Sequence, residues 1–277
     1  MMHKHNSQFP IKKRMDYQQL QPLASIHPDA KIGEGVKIGP FVTIDDNVEI
    51  GDGTIIDSNA VIRSGARIGK NCHIHSGAVV SDIPQDLKFK GEETIAIISD
   101  NTSIREFATI HRGTASKGQT VVGSNCLIMA YCHVAHDVVV GNHVIMSNAV
   151  QLAGEVIIGD WAVLGGGSLV HQFSLIGEHV MLQGGSHVSK DIPPYVLAGR
   201  NPLTYSGVNS VGLHRRGFTE DQINDIQAVY RVVYLSRLNT RDALAKIDAE
   251  LKPTPERDVI VNFIRSSKRG IIRGGLQ

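Results

Sequence analysis

From Ile26 to Val188 a branched or long aliphatic residue stands at nearly every sixth position. The first run is unbroken: Ile26, Ile32, Ile38, Ile44, Ile50, Ile56, Ile62, Ile68, Ile74, Val80. The rhythm resumes at Ile98, Ile104 and Ile110, and then runs from Val122 through Ile128, Val134, Val140, Met146, Leu152, Ile158, Leu164, Val170, Ile176 and Leu182 to Val188, always in the same phase. Four residues after each anchor comes a small or β-branched side chain, as at Ala30, Val36, Thr54, Ala60 and Cys72, and Gly often follows the anchor directly, as at Gly33, Gly51, Gly69 and Gly141. A period of six fits neither the 3.6 of a helix nor the two-residue alternation of an isolated hairpin. It predicts a parallel β-helix, in which each unit supplies a short strand and a corner and the stacked anchors form one continuous core. The glycines are expected to permit corner geometry that a Cβ would resist.

After Pro193 and Pro194 the six-residue rhythm stops and a helical one begins. Thr219 with Gln222 has the form of a capping box ahead of an apolar stripe of Ile223, Ile226, Val229, Tyr230, Val233 and Leu235. Thr240 is expected to cap a second helix through Leu251, and Thr254 with Pro255 to begin a third. The chain thus divides into an N-terminal extension (1–20), a β-helix (21–194) and a C-terminal helical domain (195–277), mainly β overall. Two interruptions, residues 81–97 and 115–121, are expected to be extruded as surface loops, where binding groups concentrate.

Composition narrows the class. Aromatic residues make up only 5% of the chain and Gly is abundant, as narrow coils require. No apolar run approaches the ~18 residues of a membrane span. The first twenty residues lack the apolar core of a secretory signal, and Met15 leaves open an upstream start over the first fourteen. Cys72, Cys126 and Cys132 share the small-residue column without CxxC spacing, which suits structural thiols in the cytoplasm. The net charge of +1 hides a division: Lys and Arg number 11 against 18 Asp and Glu over residues 21–194, but 13 against 8 over 195–277. The basic end, with Arg265, Lys268, Arg269 and Arg273, suits an acidic protein or a phosphorylated ligand.

The pattern of aliphatic anchor, frequent Gly and small fifth residue resembles the hexapeptide-repeat acyltransferases. That resemblance implies a left-handed β-helix, since period alone does not set the hand, with three faces and eighteen residues per turn, assembled as a homotrimer. On such a turn His133 and His136 flank the inward Val134 near a corner. Val170 lies two turns further on the same face, which places His171 about 10 Å along the axis. His136, Gly154 and Gln172 fall in one column, and Asp137, Glu155 and Phe173 in the next.

The segments QDLKFKGE (85–92), IREFATIHRGT (104–114), AYCHVAHDVVVGN (130–142), AGEVIIGD (153–160), VHQFSLIGEHVM (170–181), DIPPYV (191–196) and GLHRRGF (212–218) carry a more specific likeness. They resemble the UDP-N-acetylglucosamine O-acyltransferase family, which opens lipid A synthesis. The resemblance implies transfer of a 3-hydroxyacyl group, carried on the phosphopantetheine of acyl carrier protein, to the sugar 3-hydroxyl, with no further cofactor and no metal. It implies His136 as general base, a role that the ordinary histidine pKa of ~6.5 suits. Asp137 would orient the ring, and the Gly154 N–H would serve as oxyanion donor. Substrate contacts would come from Asp86, Lys88, His133, His171 and Gln172, with Asn209, Arg215 and Arg216 on the diphosphate. Gly184 falls where the family sets acyl length, and implies a long donor of roughly fourteen carbons or more by that resemblance.

Glu155 stands where the best-known members have histidine, which keeps a 3-amino-sugar nucleotide as an alternative acceptor. A related N-acyltransferase normally carries a large extra N-terminal domain, for which there is no room before Ser25. A γ-class carbonic anhydrase, with zinc held by histidines across a trimer interface, and a trimeric binding scaffold are the readings outside transferase chemistry. Neither nucleic acid nor a membrane is an expected partner.

Overall fold

Each anchor closes a strand, in most cases only two residues long, and the strands stack into three parallel sheets that form the faces of a prism. The computed structural model describes residues 21–274; the extension over residues 1–20 lies outside them. Coils pair eighteen residues apart: Ile26 with Ile44 on the first sheet, Ile32 with Ile50 on the second, Ile38 with Ile56 on the third. The anchors and the small residues four positions later fill the interior together, with Ile62, Ile74, Ala60 and Ala78 wholly buried. Ile26, Ile32 and Ile38 are only partly buried, because among the described residues no coil lies beneath the first. Thr102, an inward hydroxyl, is satisfied: its Oγ1 donates to Gly123 O at 2.7 Å and accepts from Cys126 N at 3.1 Å.

The corners turn through a left-handed residue three places after the anchor, such as Asn47, Asn59, Asn71, Asn101 and Asn125, where asparagine tolerates positive φ. The glycines directly after the anchors are not those residues. Gly51 has an ordinary φ, and a Cβ there would lie 2.6 Å from the carbonyl carbon of Gly69 one coil on. They are required by the close approach of successive coils rather than by backbone dihedral, which corrects the expectation from sequence.

Both interruptions leave the prism at one corner, between the first and second sheets. Val80 on the first sheet is followed by Ile98 on the second, eighteen residues later where six would suffice, so twelve are inserted. One coil further, Ile110 is followed by Val122, and six are inserted. Because both insertions are multiples of six, the anchor phase survives them. The loops are shorter than expected, since strand extends to Asp82 and begins again at Ile95, and Gln119 already pairs with Ile95. Third in this stack, the next coil makes the same corner with His136 and Asp137.

The third sheet continues past the end of the rhythm. Val196–Gly199 pairs with Met181–Leu182, then Thr204–Val208 adds antiparallel and Arg273–Gly274 parallel to it. Helices α1 (Ser210–Arg215), α2 (Glu220–Leu235), α3 (Thr240–Glu250) and α4 (Pro255–Ser266) cover this end. The Thr219 capping box and the Thr254 cap with Pro255 form as expected, whereas the cap of α3 is Asn239 and not Thr240. Helix α1, with Asn209 as its cap, had no periodic signal over so short a span. Tyr230 anchors α2 to the prism by donating to Pro194 O at 2.5 Å, and its ring packs against Tyr205 and Tyr234. No helix among the described residues is long and apolar enough to cross a membrane.

Leu152 sits wholly buried between Val134 and Val170 on the first sheet. Leu152→Ala should therefore cost about 2–5 kcal/mol, as cavity-forming core substitutions do. Chemical denaturation of the two proteins checks this, and a loss much smaller than that would contradict the core assigned here.

Candidate functional site

The corner with His136 is built around a carboxylate that water cannot reach. Asp137 is fully buried and left-handed at φ 61, the position each corner requires. Its Oδ2 accepts from Thr114 Oγ1 at 2.5 Å and faces His136 Nδ1 at 2.9 Å. Its Oδ1 accepts from Thr114 N at 3.0 Å and Lys117 N at 3.3 Å, and its own N–H donates to Thr120 Oγ1 at 2.8 Å. Thr114, Lys117 and Thr120 all belong to the six-residue insertion and its roots, so that insertion supplies the donors a buried carboxylate needs.

With Nδ1 engaged, the free ring nitrogen of His136 faces the next coil. A Cβ built on Gly154 would lie 2.5 Å from His136 Nε2 and Cε1, so the column tolerates no side chain above the imidazole. Gly154 is buried, and its N–H has no hydrogen-bond partner among the described residues. Unpaired buried amide donors are uncommon. A basic nitrogen and a free N–H donor thus adjoin at one corner, an arrangement suited to activating a hydroxyl and stabilising an oxyanion.

Around this pair lies a cluster of neutral imidazoles. His133 Nδ1 meets Thr109 Oγ1 at 2.7 Å, and burial, with His111 and His136 nearby, lowers its pKa to about 4. His111 packs edge-on against His133 at 4.8 Å and is also held below its ordinary range, chiefly by burial. Its Nδ1 is buried without a partner, and so is Arg112 Nε. Beside them Lys117 Nζ reaches Asp137 O at 3.3 Å and Glu155 at 3.8 Å. Two coils above His133, His171 is exposed, with Nδ1 turned onto Gln172 O at 2.9 Å.

Not all the expected site residues gather here. Asp86 and Lys88 lie in the first loop, where Lys88 N donates to Asp86 Oδ1 at 2.9 Å, and neither touches His136 within the chain. Arg216 lies at the corner between the second and third sheets, over the Trp161 ring at 5.4 Å and 3.4 Å from His179 Nδ1. There His143, Trp161, His179 and Tyr195 form a stacked column, and burial with Arg216 lowers the His179 pKa to about 4. Arg215 is exposed nearby. Asn209 is buried and committed to structure: it caps α1 through Gly212 N and donates to His179 O at 2.9 Å. Each end of its amide makes one structural bond, which fixes the side chain and leaves a second N–H and a second lone pair. Gly184 belongs to the remaining corner, stacked over Gly166, whose O a Cβ there would approach to 3.1 Å. His136, Arg216 and Gly184 therefore occupy three different corners of one prism.

Sequence spacing missed His111, Thr109, Thr114 and Thr120 as members of this site. Thr109 and His111 lie below an insertion, so Thr109 pairs with His133 at a spacing of twenty-four residues rather than eighteen, and adding the six inserted residues to the turn length is the signal that would have found them. Thr114 and Thr120 belong to the insertion and its roots, where the repeat gives no spacing to read.

Residues 191–272 match a family model described as UDP-N-acetylglucosamine O-acyltransferase, domain 2, and residues 47–82 and 119–150 match bacterial transferase hexapeptide repeats. An acyl-carrier-protein-dependent UDP-N-acetylglucosamine O-acyltransferase of Trichlorobacter lovleyi is 54% identical, over 91% of this chain and 98% of its own. Its counterpart from Chlorobium phaeobacteroides is 60% identical, over 91% and 96%. A crystal structure of a UDP-N-acetylglucosamine acyltransferase from Bacteroides fragilis superposes with a TM-score of 0.90 at 56% identity, over 91% of this chain and 99% of that one.

The depressed pKa values of His133 and His179 have a pH signature. Between about pH 6.5 and 4 the unfolded chain takes up protons there that the native state refuses, so stability is lost as pH falls across that window. Histidine-selective NMR should find both rings neutral down to about pH 5; a midpoint near 6.5 for His133 would contradict the buried cluster.

Proposed function

Because this chain belongs to the acyl-carrier-protein-dependent UDP-N-acetylglucosamine O-acyltransferases, which transfer an acyl group to that sugar nucleotide in lipid A biosynthesis, we propose that it does so with His136 as general base. The observation that carries the assignment is the pairing of His136 Nδ1 with buried Asp137, which leaves Nε2 against the corner of Gly154. Nε2 takes the proton from the sugar 3-hydroxyl, and the oxygen attacks the thioester carbon of a 3-hydroxyacyl group on acyl carrier protein. The oxyanion of the tetrahedral intermediate falls to the Gly154 N–H, a contact typically worth about 2.7–4 kcal/mol. As the carbon–sulfur bond breaks, the imidazolium returns its proton to the departing thiolate, leaving a 3-O-acyl product.

Asp137 stabilises the charged ring and fixes its tautomer, with no net proton change of its own. His133, whose imidazole burial keeps neutral, and His171 hydrogen-bond the sugar and its phosphates, with Asp86, Lys88 and Gln172 beside them. Glu155, held near Lys117, occupies the position that reads the sugar substituents. The likeness to enzymes named as O-acyltransferases favours a hydroxyl acceptor over the 3-amino alternative. We place the enzyme in the cytoplasm, where its three free buried thiols stay reduced.

The assembly follows from the separation of the corners. His136, Arg216 and Gly184 cannot line one groove on a single prism whose corners hold them apart. A homotrimer lets one subunit's His136 corner face another subunit's corner, so the nucleotide and acyl sites are shared between chains.

His136→Ala should retain the fold and lose ~10²–10⁴-fold in kcat, the usual contribution of a positioned base. Near-normal turnover by that variant with acyl-carrier-protein thioester and UDP-N-acetylglucosamine would refute its role. Co-expressing His136→Ala with Arg216→Ala chains should restore part of the activity that each lacks alone. No recovery in mixed trimers would place both residues in a site on one chain.

A further inference from the structure

Away from the catalytic corner, on the third sheet and its turn toward the first, three potential ligands converge. His73 and His75 flank the inward anchor Ile74, so both side chains project outward from the same strand. Asp57 stands eighteen residues before His75, one coil below it in the same column. Its Oδ2 lies 2.9 Å from His73 Nε2 and 3.5 Å from His75 Nδ1. All three ligand atoms are within 4.8 Å of one another. The two rings are stacked at 3.8 Å, which directs their nitrogens to one side.

We propose that Asp57, His73 and His75 bind one zinc-class divalent cation per chain, tying adjacent coils together at a site separate from acyl transfer. Two imidazoles and a carboxylate are a common zinc ligand set, with a water completing four-coordination. Zinc–ligand bonds of ~2.0–2.2 Å put tetrahedral ligand atoms roughly 3.3–3.5 Å apart; the 3.5 Å His75–Asp57 separation already fits, the 2.9 Å His73–Asp57 contact opens slightly, and the two imidazole nitrogens, within 4.8 Å of each other, close around the ion. Both imidazoles thus turn a nitrogen to one carboxylate oxygen of Asp57.

The tautomer of His75 favours the metal reading. Its Nε2 lies 3.2 Å from Ser103 Oγ one coil above, and donation there leaves the Nδ1 lone pair facing the site. Glu106 Oε1 is 3.7 Å from His75 Nδ1, but both its oxygens are held by Arg105 at 2.9 and 3.0 Å. It is thereby kept as an outer acceptor rather than a ligand.

The test uses the full chain without an affinity tag, stripped by chelator and titrated with Zn²⁺ or Co²⁺. Metal analysis should return one equivalent per chain that the double variant His73→Ala/His75→Ala lacks. Zinc should raise the melting temperature of the parent but not of that variant, while acyl transfer stays unchanged. Asp57→Asn provides a milder second variant, and Ser103→Ala should weaken zinc about tenfold through the lost tautomer contact. His3 and His5 remain in every protein, so binding through them appears equally in all. Equal stoichiometry and equal thermal shift in parent and variants, or no binding to the parent, would overturn the proposal.

Discussion

Every feature of this protein depends on one constraint: each turn must return in register to hydrogen-bond with the turn before it. Two-residue strands such as His133–Val134 are too short to hold a position alone, and they persist because each pairs above and below, Thr109 beneath and Gln151 above His133. Register forces the chain to bend at three corners, and each corner needs a left-handed residue. Asparagine at Asn71, Asn101 and Asn125 and aspartate at Asp137 meet this at low cost, while Trp161 and Glu155 adopt it at about 1–2 kcal/mol each. At Asp137 the left-handed position lets a corner carboxylate meet the ring of the residue before it.

The same constraint explains where function could be added. Extra chain cannot enter the core without breaking register, so it leaves at corners, and lengths of six or twelve keep the anchors in phase. Both insertions leave one corner on consecutive coils, directly below His136. The lower carries Asp86 and Lys88; the upper folds back so that Thr114 and Lys117 donate to the Asp137 carboxylate and Thr120 accepts from its N–H. A buried carboxylate next to several imidazoles is stable only because such donors compensate its lost hydration. The His136 corner is thus held by an insertion as much as by the repeat.

Much of this was legible in the chain. The column of His136, Gly154 and Gln172 follows from an eighteen-residue turn, and the capping residues Thr219 and Thr254 announced their helices through local chemistry. Local chemistry did not reveal why Gly51 is glycine, because the atom that excludes a side chain belongs to the next coil. Nor did it reveal that Asn209 is held by a helix cap and by His179 O, or that Asp57 lies beneath His75. These relations join residues that are distant along the chain, and one of them crosses from the cap to the prism.

The sequence by itself determined the repeat, its phase and the adjacency of His136 and Asp137, because periodic burial and neighbouring residue types are properties of order along the chain. Tertiary structure alone decided that Thr114 closes over Asp137, that His111 and His133 lie buried together and neutral, and that His136, Arg216 and Gly184 stand at separate corners. The reason is physical: hydrogen-bond partners, desolvation and corner position depend on which coil lies above or below, and insertions change that neighbour without disturbing the rhythm.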